Sequence, residues 1–170
     1  DISSTTTDAN LSQARYAGCG ISEGDTKGYA IGGYTGGIVS TGDRITFSTN
    51  TTVAETNADL SQNRQHVAGI SEGDTKGYML GGDTSGGNLV TADKITFSTN
   101  ASAAETDSNL SIAKYGAAGT NSSENGYIMG GASSTEIVLT DKLVFSTDTT
   151  AASTDSNLSQ ARRYMSGFSD

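Results

Sequence analysis

The phrase NLSQAR (residues 10–15) decides the fold, because it returns as DLSQNR (59–64), NLSIAK (109–114) and NLSQAR (157–162). Its leucines, Leu11, Leu60, Leu110 and Leu158, stand 49, 50 and 48 residues apart. Two further phrases keep step with it. GYAIGG (28–33) recurs as GYMLGG (77–82) and GYIMGG (126–131), and DRITF (43–47) recurs as DKITF (93–97) and DKLVF (141–145). Several anchors repeating at one period mark a repeat array, in which each unit is one supersecondary element that needs its neighbours to bury its apolar surface. The units run 11–59, 60–109 and 110–157. Residues 1–10 read as the end of a preceding unit and 158–170 as the start of a further one.

Each unit reads as four short strands. The first follows the Leu-Ser phrase, at 16–21, 66–70 and 115–120, and is rich in Ala and Gly. The second is the Gly-Tyr-x-x-Gly-Gly phrase. The third is the Asp-Arg/Lys-Ile-Thr-Phe phrase, where Ile45 and Phe47 share one face and Arg44, Thr46 and Ser48 the other. The fourth is polar, around 53–56 and 103–106. No segment sustains the 3.6-residue apolar spacing of a helix. The expected fold is all-β, with four-stranded antiparallel units packed radially. The small first strand lies innermost, the polar fourth outermost, and Phe47, Phe97 and Phe145 fill the space between neighbouring sheets. A β-trefoil, also built from three four-stranded repeats, is the alternative.

Composition agrees with thin β-layers. Of 170 residues, 22 are Gly, and there is no Pro or Trp. The single cysteine, Cys19, rules out a disulfide within one chain. A net charge of -9 disfavours phosphate backbones and so nucleic acid. No run of 18 apolar residues is present to insert into a membrane.

In this order of phrases the sequence resembles the kelch repeat, in which a Leu-x-x-x-Arg phrase and a small-residue strand precede an apolar strand ending in Gly-Gly. Leu11, Arg15, Tyr29, Ile31, Gly32, Gly33, Ile45 and Phe47 carry the likeness. The late tryptophan of kelch repeats is absent, and Lys114 stands where the other units have Arg. The polar style is also similar to kelch-like arrays of cyanobacterial surface proteins and of aquatic phage virion proteins. The resemblance implies β-propeller blades belonging to a ring of six or seven, with an extracellular, cell-surface or virion location. About three units do not close a ring, since propellers use roughly 4–8 blades. The remaining blades are therefore expected from the same longer chain or from another copy.

Few residues suggest chemistry. The pairs Gly32–Gly33, Gly81–Gly82 and Gly130–Gly131 lack the helix that follows a phosphate cradle, so they read as strand-end glycines. Arg15, Arg64, Lys114 and Arg162 recur with the scaffold and read as structural cations pairing with Asp43, Asp93 or Asp141, or with strand-end carbonyls. The turn SEGDTKG (22–28) is too short for a dedicated calcium loop, and its Asp is lost in the third unit. His66 and Cys19 occur once each, without zinc spacing or a nucleophile elbow. No catalytic residue, cofactor or metal is expected.

The least regular segment joins the Gly-Gly strand to the third strand. Variation on a constant scaffold is where binding residues sit, which makes Tyr34, Thr35, Asp83, Thr84, Ser85, Ser133, Ser134 and Glu136 the candidate contacts for a glycan or protein partner. The expected function is a non-catalytic binding module. The alternatives are a structural assembly module and the scaffold of a larger enzyme whose active site lies elsewhere.

Overall fold

The computed structural model describes residues 7–167 and is all-β, with no α-helix among them. The first sheet contains β1 (Cys19–Glu23), β2 (Lys27–Ile31), β3 (Gly42–Thr46) and β4 (Thr51–Ala54). The second contains β5 (Ala68–Glu72), β6 (Lys76–Leu80), β9 (Ala92–Thr96) and β10 (Ala101–Ala104). Between β6 and β9 a small hairpin pairs β7 (Asp83–Thr84) with β8 (Gly87–Asn88). The third sheet contains β11 (Ala118–Asn121), β12 (Asn125–Met129), β13 (Thr140–Val144) and β14 (Thr149–Ala152). In all three, strands pair antiparallel in chain order.

Local chemistry explains this meander. Between β1 and β2 the Thr26 amide and hydroxyl both donate to the Glu23 carbonyl, at 3.0 and 2.8 Å, and the Lys27 ammonium meets the Glu23 carboxylate at 2.8 Å. Between β3 and β4 the chain reverses through Asn50 at φ 53°, and its counterparts Asn100 and Asp148 adopt 54° and 55°. Asn and Asp are the non-glycine residues that enter this left-handed region most readily. The fourth strands, built from Thr, Ser, Ala and Val, leave three of their four side chains exposed, as an edge strand allows.

The three sheets stack face to face. Cys19, Ile21, Tyr29 and Ile31 of the first pack against Met79, Ile95 and Phe97 of the second. The other face of the second, with Ala68, Ile70, Tyr78 and Leu80, packs against Ile128, Leu143 and Phe145 of the third. The Tyr29 ring stacks on Phe97 and that of Tyr78 on Phe145, with centroids 5.6 and 5.7 Å apart. First strands run beside one another at one edge of the stack, so closely that a Cβ on Gly69 would stand 2.5 Å from the Gly20 carbonyl oxygen. Small residues in β1, β5 and β11 are what permit this approach.

The Leu-x-x-x-Arg phrase is a clasp between sheets. Leu60 packs into the core of the first sheet, and the Leu60 and Arg64 amides donate to the Ser40 and Val39 carbonyls at 2.9 and 3.2 Å. The Arg64 side chain then enters the second sheet. Its guanidinium is fully buried, pairs with Asp93, and donates to the carbonyls of Met79, Gly81 and Thr91. Arg15 pairs likewise with Asp43 at 2.8 Å and Lys114 with Asp141 at 2.9 Å. Each of these cations therefore finds its partner within its own unit, while the backbones and leucines of the Leu60 and Leu110 phrases hold the unit before. Arg162 repeats the backbone half of the clasp, its carbonyl accepting from the Gly131 amide at 2.9 Å, but its side chain is exposed.

The first strands begin two or three residues later than the small-residue phrase suggests. Ala17, His66 and Gly116 adopt φ of 58°, 53° and 63°, which no strand accommodates, and the continuous strands start only beyond them.

Candidate functional site

The late start of the first strands builds a distinct surface at that end of the sheets. Just ahead of each left-handed residue, Tyr16, Gln65 and Tyr115 pair through their backbones with Tyr34, Asp83 and Ala132. These partners directly follow the glycine pairs, whose φ values of 68° and 98°, 65° and 95°, and 61° and 95° turn the chain out of the second strand. A Cβ on Gly33 would stand 2.5 Å from the Tyr16 carbonyl oxygen, so glycine is also needed for the close passage. The variable loops are thus anchored at one end of the stack.

The left-handed residues themselves form a hydrogen-bonded string. The His66 amide donates to the Ala17 carbonyl at 2.6 Å, Gly116 to His66 at 3.0 Å, and Tyr164 to Gly116 at 2.8 Å. Tyr164 has φ 55° and occupies the position equivalent to His66 after the last clasp. The string places aromatic side chains side by side. The His66 ring lies 5.1 Å from that of Tyr164 and 5.7 Å from that of Tyr115, and the Tyr16 ring lies 5.2 Å from that of Tyr34. Tyr16 and Tyr164 are 63% and 59% exposed, the two most exposed large side chains of apolar character among the described residues.

Charges in this surface are matched internally. His66 Nδ1 meets Asp83 Oδ1 at 2.7 Å, and Gln65 Nε2 donates to Asp83 Oδ2 at 3.0 Å. The Arg163 guanidinium lies over the Tyr115 and Tyr164 rings, 5.7 and 5.2 Å from their centroids, and pairs with Glu136 at 3.2 Å. Arg163 also donates to the Tyr115 hydroxyl.

Of the candidate contacts, Tyr34, Asp83 and Glu136 join these clusters, beside Tyr16, His66 and Arg163. Ser133 accepts from Asn88 Nδ2 through its carbonyl at 2.6 Å. Thr84 and Ser85 line a separate recess of about 260 Å³ with Ile38 and Asn63. The Thr35 amide donates to the Gly37 carbonyl at 3.0 Å within its loop, and Ser134 is exposed in the corresponding loop of the third unit. Sequence reasoning passed over Tyr16, Tyr115, Arg163 and Tyr164 and weighed His66 only as a metal ligand or catalytic base, having placed Tyr16, His66 and Tyr115 in strands. The available signal was positional: every unit carries an aromatic or imidazole ring five or six residues beyond the clasp leucine.

No group of three or more His, Cys, Asp or Glu side chains among the described residues is arranged to hold a metal ion. Cys19 is buried and donates to the Ile31 carbonyl at 3.6 Å, and burial pushes its thiol up to about 12, leaving no reactive thiolate near neutral pH. The buried cation pairs lie inside the sheets, where burial lowers the Arg64 and Lys114 values against the pull of Asp93 and Asp141. Carbonyl and carboxylate partners hold the Arg64 guanidinium nitrogens Nη1 and Nη2 and the Lys114 ammonium, while Arg64 Nε is buried without a hydrogen-bond partner, which makes these cations part of the scaffold. No family model and no curated protein matches this chain.

Proposed function

We propose that this chain is a non-catalytic binding module. Its sheets are kelch-like blades of a β-propeller of six or seven blades, and its aromatic end contacts glycans or proteins at a cell or virion surface. Support for radial blades comes from the close approach of β1, β5 and β11 along one edge while the polar fourth strands lie at the other. Further blades, from the same longer chain or from another copy, cover the open faces of the first and third sheets. Electron micrographs of the intact assembly test this: discs with a central axis are expected, and extended rods overturn the ring.

The binding role rests on one observation, the row of rings set by the clasp phrase on a rigid scaffold. Tyrosine gives large amphipathic contact area with little side-chain entropy to lose, and exposed rings gathered on one side mark interaction sites. The test offers the labelled chain to a glycan array and to a panel of surface proteins. A double substitution, Tyr16→Ser with Tyr34→Ser, serves as the control. Binding that the double variant loses supports the reading. Absence of binding on both panels, or binding indifferent to the variant, overturns it.

A further inference from the structure

We propose that the cleft bordered by His66 and Tyr164 is a site for one neutral pyranose ring at the end of a glycan, an inference that rests on the aromatic end being a binding surface. The cleft has a volume of about 210 Å³ and is lined by the small residues Ala17, Gly18, Gly116 and Ala117 as well as by His66 and Tyr164. Pockets for drug-sized ligands run from roughly 300 to 1,000 Å³. A space below that range suits a single sugar ring and is too small for an extended peptide.

Backbone strain singles out the same two residues. Position by position, Ala17, His66, Gly116 and Tyr164 are equivalent, and all four are left-handed. Gly116 shows that glycine fits there, and glycine alone adopts this conformation without steric cost. A bulky side chain held in such a region is strained, and residues of this kind cluster at functional sites. His66 and Tyr164 therefore carry rings where the scaffold would be better served without them.

The charge arrangement selects the ligand. Both Asp83 oxygens are occupied, by His66 and Gln65, so the carboxylate is not free to capture a cation. Arg163 is matched by Glu136 and held across two tyrosine rings, so it offers no unpaired charge to a sulfate or a sialic acid carboxylate. The whole chain is acidic, at -9, and repels anionic sugars further. What remains is a neutral ligand with an apolar face for the rings and hydroxyls for His66 Nε2, the imidazole nitrogen not bonded to Asp83.

The test is a titration of isotope-labelled chain with neutral hexoses and N-acetylhexosamines at about 10 mM, ample for a millimolar Kd, followed by amide chemical shifts. Sialic acid and a sulfated hexose serve as anionic comparisons. Expected are shifts at His66, Gly116 and Tyr164 with at least one neutral sugar and none with the anionic ones. His66→Gly and Tyr164→Asn, both compatible with positive φ, should each weaken binding about tenfold. Shift mapping on the unsubstituted chain decides the matter if either variant fails to fold. Shifts confined to another surface, an equal response to anionic sugars, or no response overturn the sugar site. A chain that fails here yet binds a surface protein through Tyr16 and Tyr34 loses the sugar site and keeps the binding role. A chain that also fails both panels loses both.

Discussion

The second sheet and the first are built from nearly the same phrases and live in different surroundings. Phe97 and Ile95 are 0% exposed because the first sheet covers them, whereas their counterpart Phe47 is 39% exposed. The clasp shows the same contrast. Arg64 is sealed between two sheets, while Arg162, in an identical role by sequence, meets no following sheet among the described residues and lies exposed. A repeat therefore has no fixed energetic value of its own. Its anchors stabilise the fold in proportion to the neighbour that covers them, as a quasi-one-dimensional array requires.

The sharpest way to break this comparison is at the buried ion pair. Asp93→Ala leaves the Arg64 guanidinium without its carboxylate inside the protein, and loss of one partner of a buried pair costs about 3–5 kcal/mol. Arg162→Ala removes an exposed side chain with no acidic partner among the described residues and should change stability by less than about 0.5 kcal/mol. Chemical denaturation midpoints of the two variants check both numbers. Comparable losses would show that the clasp does not depend on a covering sheet.

A second contrast lies in the aromatic filling. Phe97→Ala empties a site between two sheets, where such truncations cost about 3–5 kcal/mol. Phe47→Ala removes a ring already in contact with water and should cost about 1 kcal/mol. Addition of a covering sheet would raise the Phe47 cost toward that of Phe97. Thermal unfolding of this chain and of any longer form reads that difference directly.

Glycine at the edge where the first strands meet gives a smaller and opposite pair of effects. A Cβ at Gly20 meets nothing nearer than the Tyr29 carbonyl oxygen at 3.9 Å, while one at Gly69 would stand 2.5 Å from the Gly20 carbonyl oxygen and 3.0 Å from Ile21. Gly69→Ala must push two backbones apart, and overpacking of this kind costs about 1–3 kcal/mol. Gly20→Ala should be neutral or stabilise by about 0.4–1 kcal/mol through the unfolded chain. Urea midpoints separate the two signs.

Much of this was legible in the sequence, because the repeat phrases carry their own local chemistry. The in-step recurrence of three phrases and the alternation in the third strand gave the all-β class and the four-strand unit. Recurrence with the scaffold pointed to Arg15, Arg64 and Lys114 as structural cations. The aromatic end was not legible. Tyr16, His66 and Tyr115 look like strand residues, since nothing in a sequence announces that Ala or His will adopt positive φ. That conformation is imposed by the string of hydrogen bonds between successive units, a long-range cause. For the same reason the rings of His66, Tyr115 and Tyr164 converge although they come from different repeats.

The smallest effect separates the two internal junctions by pH. Between the first and second sheets, Tyr29 donates to Asn100 Oδ1 at 2.7 Å. At the equivalent place between the second and third, Tyr78, Lys76 and Lys94 converge on Asp148. Burial works against the Asp148 charge, but these three donors outweigh it and hold the carboxyl at about 2, below its ordinary 3.8. A depressed carboxyl stabilises the fold fully above its ordinary value, and that contribution fades as pH falls from there through about 2. The group is partly open to solvent, so the effect is on the order of 1 kcal/mol after screening. Asp148→Asn turns the second junction into a copy of the first. It should weaken the fold by that amount near neutrality and flatten the decline of stability between about pH 4 and 2. Denaturation midpoints across that range check it, and an unchanged decline would place the acid sensitivity in other carboxylates.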